Sequence, residues 1–254
     1  MHFPQAETVA SRFEVLDESA STNAALRALS SDSVAWPHLS VLLTDNQTAG
    51  RGRLDRSWVA PAGSALAISV LLRELPTASE LTGWIPLIAG VAMSHAVAAQ
   101  LPEQEVCVKW PNDVLVDGRK ICGILAESTG TAVIVGAGVN TAMTHQQLPV
   151  PTATSFAVLG EEADADLLVA AYVRRLDDLV SSLATWGDAV RSGVHAAVSA
   201  QCASLGREVD VSLPDGEVLH GTALRLEPDG RLCVVSEGTE HLIAAGDVVH
   251  ARLT

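Results

Sequence analysis

From Leu81 to Pro102 the chain carries no Asp, Glu, Lys or Arg. A helix without a polar face cannot lie on a protein surface, so this run has to be enclosed by other elements or by lipid. Gly83, Pro86, Gly90, Ser94, His95 and Gln100 interrupt it, and much of the remainder is alanine. The pattern favours an Ala-rich core helix over 84–100 rather than a membrane span.

The segments around that helix alternate. Apolar and β-branched residues predict strands near 12–16, 40–44, 64–72, 105–109, 113–116, 121–127 and 132–139. Ser21 or Thr22 can cap a helix running through "NAALRALS". Between Asp166 and Trp186, Leu168, Tyr172, Leu176, Leu179 and Leu183 fall on one helical stripe, and a further helix is expected over 188–204, before Gly206. After Gly206 the texture changes to short strands divided by two Pro-Asp-Gly turns, at 214–216 and 228–230, which reads as a small β-barrel. The expected organisation is α+β: a domain over 1–205, with a mixed or antiparallel sheet and flanking helices, and a small one over 206–254.

With 48% hydrophobic and 18% charged residues the chain is a globular protein, not a disordered one. A net charge of −14 argues against a nucleic-acid backbone as partner, because such binders need a broad basic surface. Residues 206–254 hold four arginines against nine acidic residues, so the β-rich tail offers no basic face either. The N-terminus lacks the basic and apolar regions of a secretory signal. Cys107, Cys122, Cys202 and Cys233 sit apart among apolar neighbours, as reduced thiols in the cytoplasm would. The histidines form no zinc pattern.

Of the sixteen basic residues only Lys109 and Lys120 are lysines. A compact, movable point charge differs in use from a planar guanidinium, so both positions draw attention. Lys109 opens "KWPNDVLV", where Asn112 and Asp113 offer oxygens suited to magnesium or a ribose. Lys120 lies in "GRKICGILAE", a Gly118 turn leading into a strand with Gly123 and Glu127, which reads as a hairpin presenting a cation beside an acidic group. In "GRGRLDRSW", Gly50 and Gly52 let backbone amides approach an anion, and Arg51, Arg53 and Arg56 can make bidentate contacts to carboxylate or phosphate. The alternative for that loop is a solvated basic segment or a fragment of an RGG-like nucleic-acid binder, which the acidic remainder of the chain disfavours. No P-loop and no nucleophile elbow occur.

Taken in order, "STN" at 21–23, "DNQTAGRGRLDRSW" at 45–58, "KWPNDVLV" at 109–116, "RKICGILAE" at 119–127 and "GAGVN" at 136–140 resemble the catalytic domain of biotin protein ligases. The tail ending in "GDVVHARL" is similar to that family's SH3-like C-terminal domain. The resemblance implies a catalytic fold like that of class II aminoacyl-tRNA synthetases. With "STN" only twenty residues in, it also implies the monofunctional form, without a DNA-binding domain. The family activates biotin with ATP and Mg2+ to biotinyl-5′-adenylate, then passes the biotinyl group to a lysine of a biotin carboxyl carrier domain. By position, the resemblance implies that Ser21, Thr22, Asn23 and Gln47 contact biotin. Gly50, Arg51, Gly52 and Arg53 match the loop over biotin and phosphate, Arg56 a phosphate contact, and Trp58 the aromatic near adenine. Lys120 matches the catalytic lysine, assisted by Arg51 and Arg53. Lys109, Asn112, Asp113, Gly123 and Asn140 fall where ATP is handled, with Asp113 and Asn140 as metal ligands, and Arg252 matches a C-terminal arginine near the adenylate. One departure stands out: Ala60 replaces a serine common at that place. A lipoate or octanoate ligase of the same fold is the nearest rival, and its Arg-Arg-x-x-Gly-Gly-Gly loop is absent. A binding module without catalysis is the rival from another class.

Overall fold

A computed structural model describes residues 1–53, 56–213, 216–244 and 247–250. The first strands are β1 Arg12–Val15, β2 Ser40–Thr44, β3 Gly50–Arg51, β4 Ser57–Trp58 and β5 Ala65–Leu72. They are followed by β6 Val106–Lys109, β7 Asp113–Val116, β8 Arg119–Ser128 and β9 Val133–Asn140. The helices are α1 Pro4–Val9, α2 Thr22–Leu29, α3 Ile85–Ala98, α4 Ala165–Trp186 and α5 Val194–Gln201. Seven strands make one sheet in the order β1-β2-β5-β9-β8-β7-β6, and β3 and β4 form a separate hairpin. Only β1 and β2 run parallel; the other neighbours are antiparallel.

The uncharged run becomes α3, which packs on β6, β7 and β8 and is covered in turn by α4. Among the described residues one helical run, Ser79–Ala98, is long and apolar enough to cross a membrane, and 72% of its most apolar window is buried inside the protein. The α4 stripe faces α3: Leu168, Tyr172, Leu176, Leu179 and Leu183 are all buried. Asp164 caps that helix by accepting from the Leu167 N–H, and Gly187 ends it in the left-handed region. The helix expected over 188–204 is shorter. Asp188 accepts the N–H groups of Val190 and Arg191, which holds the chain in a turn until Gly193 at φ 78°. Helix α1 was not foreseen, and its first-turn N–H groups at Gln5 and Ala6 donate to Asp166, far away in sequence.

Strand alternation decides where the site can be. Along β9, Val133, Val135, Ala137 and Val139 join the core shared with α3 and α4, so Ile134, Gly136, Gly138 and Asn140 take the opposite face. On β5, Ile68, Val70 and Leu72 face that core while Ala67, Ser69 and Leu71 do not. Helix α2 covers part of this second face, with Leu26 packing among Leu42, Leu71 and Ile134. The rest of that face is left for a ligand.

Strands β10 Glu208–Ser212, β11 Val218–Leu226, β12 Leu232–Ser236, β13 Thr239–Ile243 and β14 Asp247–His250 form a five-stranded antiparallel sheet ordered β13-β12-β11-β10-β14. Among the described residues β13 and β14 are not joined, so the sheet stays open where a barrel was expected. Its apolar residues, Val209, Val211, Leu226, Leu232 and Val234 among them, belong to the same core as α3, so the sheet buries one face without closing on itself. The second Pro-Asp-Gly turn fastens it: Trp84 Nε1 donates to Pro228 O at 2.9 Å and Trp110 Nε1 to Gly230 O at 3.2 Å.

Candidate active site

A cavity of about 350 Å³ opens on the face of the large sheet away from α3 and α4. Its floor is made of small residues in register across four strands. Ala67 pairs with Gly138, Gly138 with Gly123, and Gly123 with Asp113. One step along, Ser69 pairs with Gly136 and Gly136 with Leu125. The alternation of "GAG" is therefore a strand with its core side filled by Ala137 and a ligand side without side chains of its own, onto which the Asn23 amide and the Trp58 indole pack. The Trp58 indole lies against Gly138, where an added Cβ would stand 2.7 Å from the ring.

One end of the cavity is a neutral hydrogen-bonding cluster at the start of α2. Ser21 caps the helix, its Oγ accepting from Ala24 N at 3.3 Å. Gln47 Oε1 accepts from Thr22 N at 2.8 Å and Thr22 Oγ1 at 3.1 Å, which leaves Gln47 Nε2 without a protein partner among the described residues. Asn23 is more fully committed than its place in "STN" suggests. Its Oδ1 accepts from the Ser69 hydroxyl at 2.6 Å, and its Nδ2 donates to Glu127 Oε2 at 2.7 Å and to Leu125 O at 3.3 Å. The Asn23 amide sits where Gly136 would carry a Cβ, 2.5 Å from Oδ1. Sequence reasoning missed Ser69; its only signal is a lone hydroxyl inside the apolar strand "ALAISVLL".

The other end is cationic. Lys120 Nζ lies 2.5 Å from Asp113 Oδ1 and Lys109 Nζ 3.0 Å from Asp113 Oδ2, so the two lysines of the chain meet on one carboxylate. Gly123 makes room for this: a Cβ there would stand 3.0 Å from Lys120 Nζ. The acidic partner of Lys120 is Asp113, on the adjacent strand; Glu127, its companion on β8, bonds Asn23 instead. Burial raises the Asp113 pKa, but the neighbouring ammonium groups, Lys120 first, overcome that and hold it below the ordinary carboxylate value. Such a group stabilises the fold fully above its unfolded pKa of about 3.9 and loses that contribution as pH falls through its depressed folded value. Asp113→Asn should cost about 2–3 kcal/mol at neutral pH, less than a fully buried pair because Lys120 is 42% exposed. In urea melts the gap between wild type and variant should hold down to about pH 4 and close below it.

Between these ends stands the β3–β4 hairpin. Arg53 donates to Asn112 Oδ1 at 3.1 Å, and Asn112 Nδ2 donates to Ile124 O at 2.7 Å, so the hairpin leans on the turn after Lys109. The Trp110–Pro111 peptide in that turn is cis. Arg51 reaches Glu127 at 3.4 Å, and Arg56 and Trp58 also line the cavity. Gly52 does not offer a free amide to an anion as expected, because its N–H donates to Arg56 O at 2.6 Å. Gly50 lies behind Gln47, with Gln47 Nε2 only 2.2 Å from where its Cβ would be, and does not line the cavity. Arg252 lies outside the described residues.

The expected metal ligands do not fit a metal held by the protein. Both Asp113 oxygens are in ion pairs. Asn140 is buried beyond the cavity floor with Nδ2 donating to Thr154 O at 2.9 Å. Among the described residues no three His, Cys, Asp or Glu side chains gather as a metal site. Thiol chemistry is also disfavoured. Burial, with Glu105 adding to it, pushes Cys107 up to about 11. Burial pushes Cys122 up as well, so both stay protonated at neutral pH.

A slot with neutral donors at one end and clustered cations at the other suits a partly apolar carboxylic acid activated beside a polyphosphate. The comparisons agree with that class. Residues 16–140 match the family model described as the biotin/lipoate A/B protein ligase family, and 204–251 match the biotin protein ligase C terminal domain. A biotin–acetyl-CoA-carboxylase ligase of Mycobacterium tuberculosis is 35% identical over 243 residues, covering 95% of this chain and 90% of that one. Its counterpart from Paracoccus denitrificans is 34% identical over 223 residues, covering 82% and 88%. The biotin protein ligase of Aquifex aeolicus in complex with biotin and ATP has a TM-score of 0.77 at 25% identity, covering 95% of this chain and 99% of that one. This chain belongs to the biotin protein ligase family.

Proposed function

We propose that this protein joins biotin to ATP, forming biotinyl-5′-adenylate and pyrophosphate, and transfers the biotinyl group to a lysine of a biotin carboxyl carrier domain. The observation that carries the reading is the polarity of the cavity along one floor. The Ser21 hydroxyl and Gln47 Nε2 suit the carbonyl of a ureido head, and Ala67 and Leu125 offer apolar surface to its rings. A lipoyl ring has no hydrogen-bonding group, so it would leave the buried Ser21 hydroxyl without a partner, at roughly 1–3 kcal/mol, and the half-buried Gln47 Nε2 unmatched. That favours biotin over the lipoate and octanoate alternatives.

At the far end, the biotin carboxylate has to approach an α-phosphate of like charge. Two unit charges 4 Å apart repel by about 4 kcal/mol at an effective dielectric near 20. Lys120 stands where it can offset that repulsion and favour charge moving toward the departing pyrophosphate, with Arg51, Arg53 and Arg56 of the hairpin gathering phosphate oxygens. Lys109 shares Asp113 with Lys120, and Trp58 supplies a surface for the adenine. Aligning the two substrates adds a further ~7–11 kcal/mol, because bound reactants need not find each other by diffusion. The acceptor amine then attacks the mixed anhydride carbonyl, and AMP leaves with its bond pair on the phosphate oxygen.

The division at residue 205 into a catalytic and a C-terminal domain belongs to this proposal, supported by the open sheet that begins at Glu208. So do a cytoplasmic setting, in keeping with four free cysteines, and partners that are carrier proteins rather than nucleic acid or membrane. Incubation with biotin, ATP and a biotin carboxyl carrier domain tests the whole reaction. Intact-mass measurement should find one biotinyl group on one lysine; an unmodified carrier in the presence of folded enzyme would refute the transfer.

A further inference from the structure

We propose that Glu127 is a positioning residue that holds the Asn23 amide of the ligand-head cluster in its donor and acceptor sense and ties it to the arginine hairpin. It extends the biotin reading, on which its ligand half rests. Glu127 faces the ligand side of β8, opposite Ile134, and is 18% exposed. Its two oxygens have different jobs. Oε2 accepts from Asn23 Nδ2 at 2.7 Å; Oε1 faces Arg27 and Arg51, each at 3.4 Å.

The amide of an asparagine is nearly symmetric in shape, so packing alone does not say which end is oxygen. A carboxylate can only accept, and so it forces the Asn23 NH2 toward itself and Oδ1 toward Ser69. Ser69 lies 2.6 Å from that oxygen and 2.8 Å from Thr22 Oγ1, and its single proton goes to Asn23. The Thr22 proton is then directed to Ser69 or to Gln47 Oε1, both within reach. In either case Thr22 Oγ1 keeps a lone pair for a ligand N–H, and Gln47 presents Nε2 as a donor. Glu127, together with Leu125 O, thus fixes the sense of Asn23 and through it Ser69, while the Thr22 backbone N–H fixes Gln47 Oε1 as an acceptor; the resulting array matches a ureido group with its N–H and carbonyl on one edge.

The same carboxylate tethers Arg51, the first arginine of the hairpin, with Oε1 3.4 Å away. An incoming anion competes with Glu127 for Arg51.

Two substitutions separate these jobs. Glu127→Ala removes both: KM for biotin should rise ~10–100-fold with kcat lowered no more than ~3-fold, and amide exchange over residues 50–53 should quicken without ligand. Glu127→Gln keeps an oxygen for Asn23 and gives up the charge facing Arg27 and Arg51. Its biotin KM should rise less than that of the alanine variant, while hairpin exchange quickens as much. A biotin KM within twofold of wild type in Glu127→Ala, or hairpin exchange unchanged in Glu127→Gln, would overturn the proposal. If Glu127→Ala fails to fold, the exchange in Glu127→Gln decides alone. Hairpin exchange is read without substrate, so it stands even if wild type shows no biotin turnover, which would instead remove the biotin reading.

Discussion

Lys120→Ala is expected to lower the rate of biotin adenylation by about three orders of magnitude, with biotin affinity changed much less. Removing one preorganised group that stabilises developing charge costs about 10²–10³ in rate, and Lys120 is a full charge rather than a dipole. Its Nζ is held by Asp113 at one side of the cavity, and the space under it comes from Gly123. The head-binding cluster of Ser21, Thr22 and Gln47 is at the other end, so equilibrium binding of biotin depends on this amine far less than adenylation does. Single-turnover adenylation measured beside biotin titration separates the two quantities. A variant that kept a tenth or more of the wild-type rate would remove Lys120 from the charge-stabilising role.

Gly136→Ala is expected to weaken biotin binding by about 100-fold or more, although it adds one methyl group. The new Cβ would stand 2.5 Å from Asn23 Oδ1 and 2.9 Å from Cγ and Nδ2. Asn23 cannot step aside, because Ser69, Leu125 O and Glu127 hold its amide from both ends. Breaking one or two of those buried bonds costs roughly 1–3 kcal/mol each, and every 1.4 kcal/mol is a factor of ten in affinity. Isothermal titration with biotin gives the number directly. Affinity within threefold of wild type would mean that Asn23 is free to move and the cluster less rigid than its bonds imply.

Much of this arrangement can be read from the chain and some of it cannot. The strands β2, β5, β7 and β9 are marked by short runs of apolar and β-branched residues, and α3 by an absence of charge that has no surface solution. Lys109 and Lys120 stand out because the sequence otherwise uses arginine, and the structure brings them together on Asp113. That meeting was not legible, because it depends on the register of β7 against β8, and the acidic residue suggested for Lys120 was Glu127. Ser69 was hidden for a similar reason: β5 is buried on both faces, so its pattern does not tell the ligand side from the core side. Helix α1 has only six residues and relies on Asp166, a partner that no local signal announces. The openness of the C-terminal sheet follows from its packing into the larger core, which is a tertiary fact. Asn23 shows the limit of position-by-position reasoning: its identity marks the site, and only its neighbours reveal that its amide is already engaged within the protein.

Exchange of labelled pyrophosphate into ATP measures the proposed first half-reaction without any carrier protein. Biotin should drive the exchange with saturable dependence, and lipoate or octanoate at the same concentration should not. Exchange that ignores biotin, or that proceeds equally with lipoate, would contradict biotin activation by this cavity.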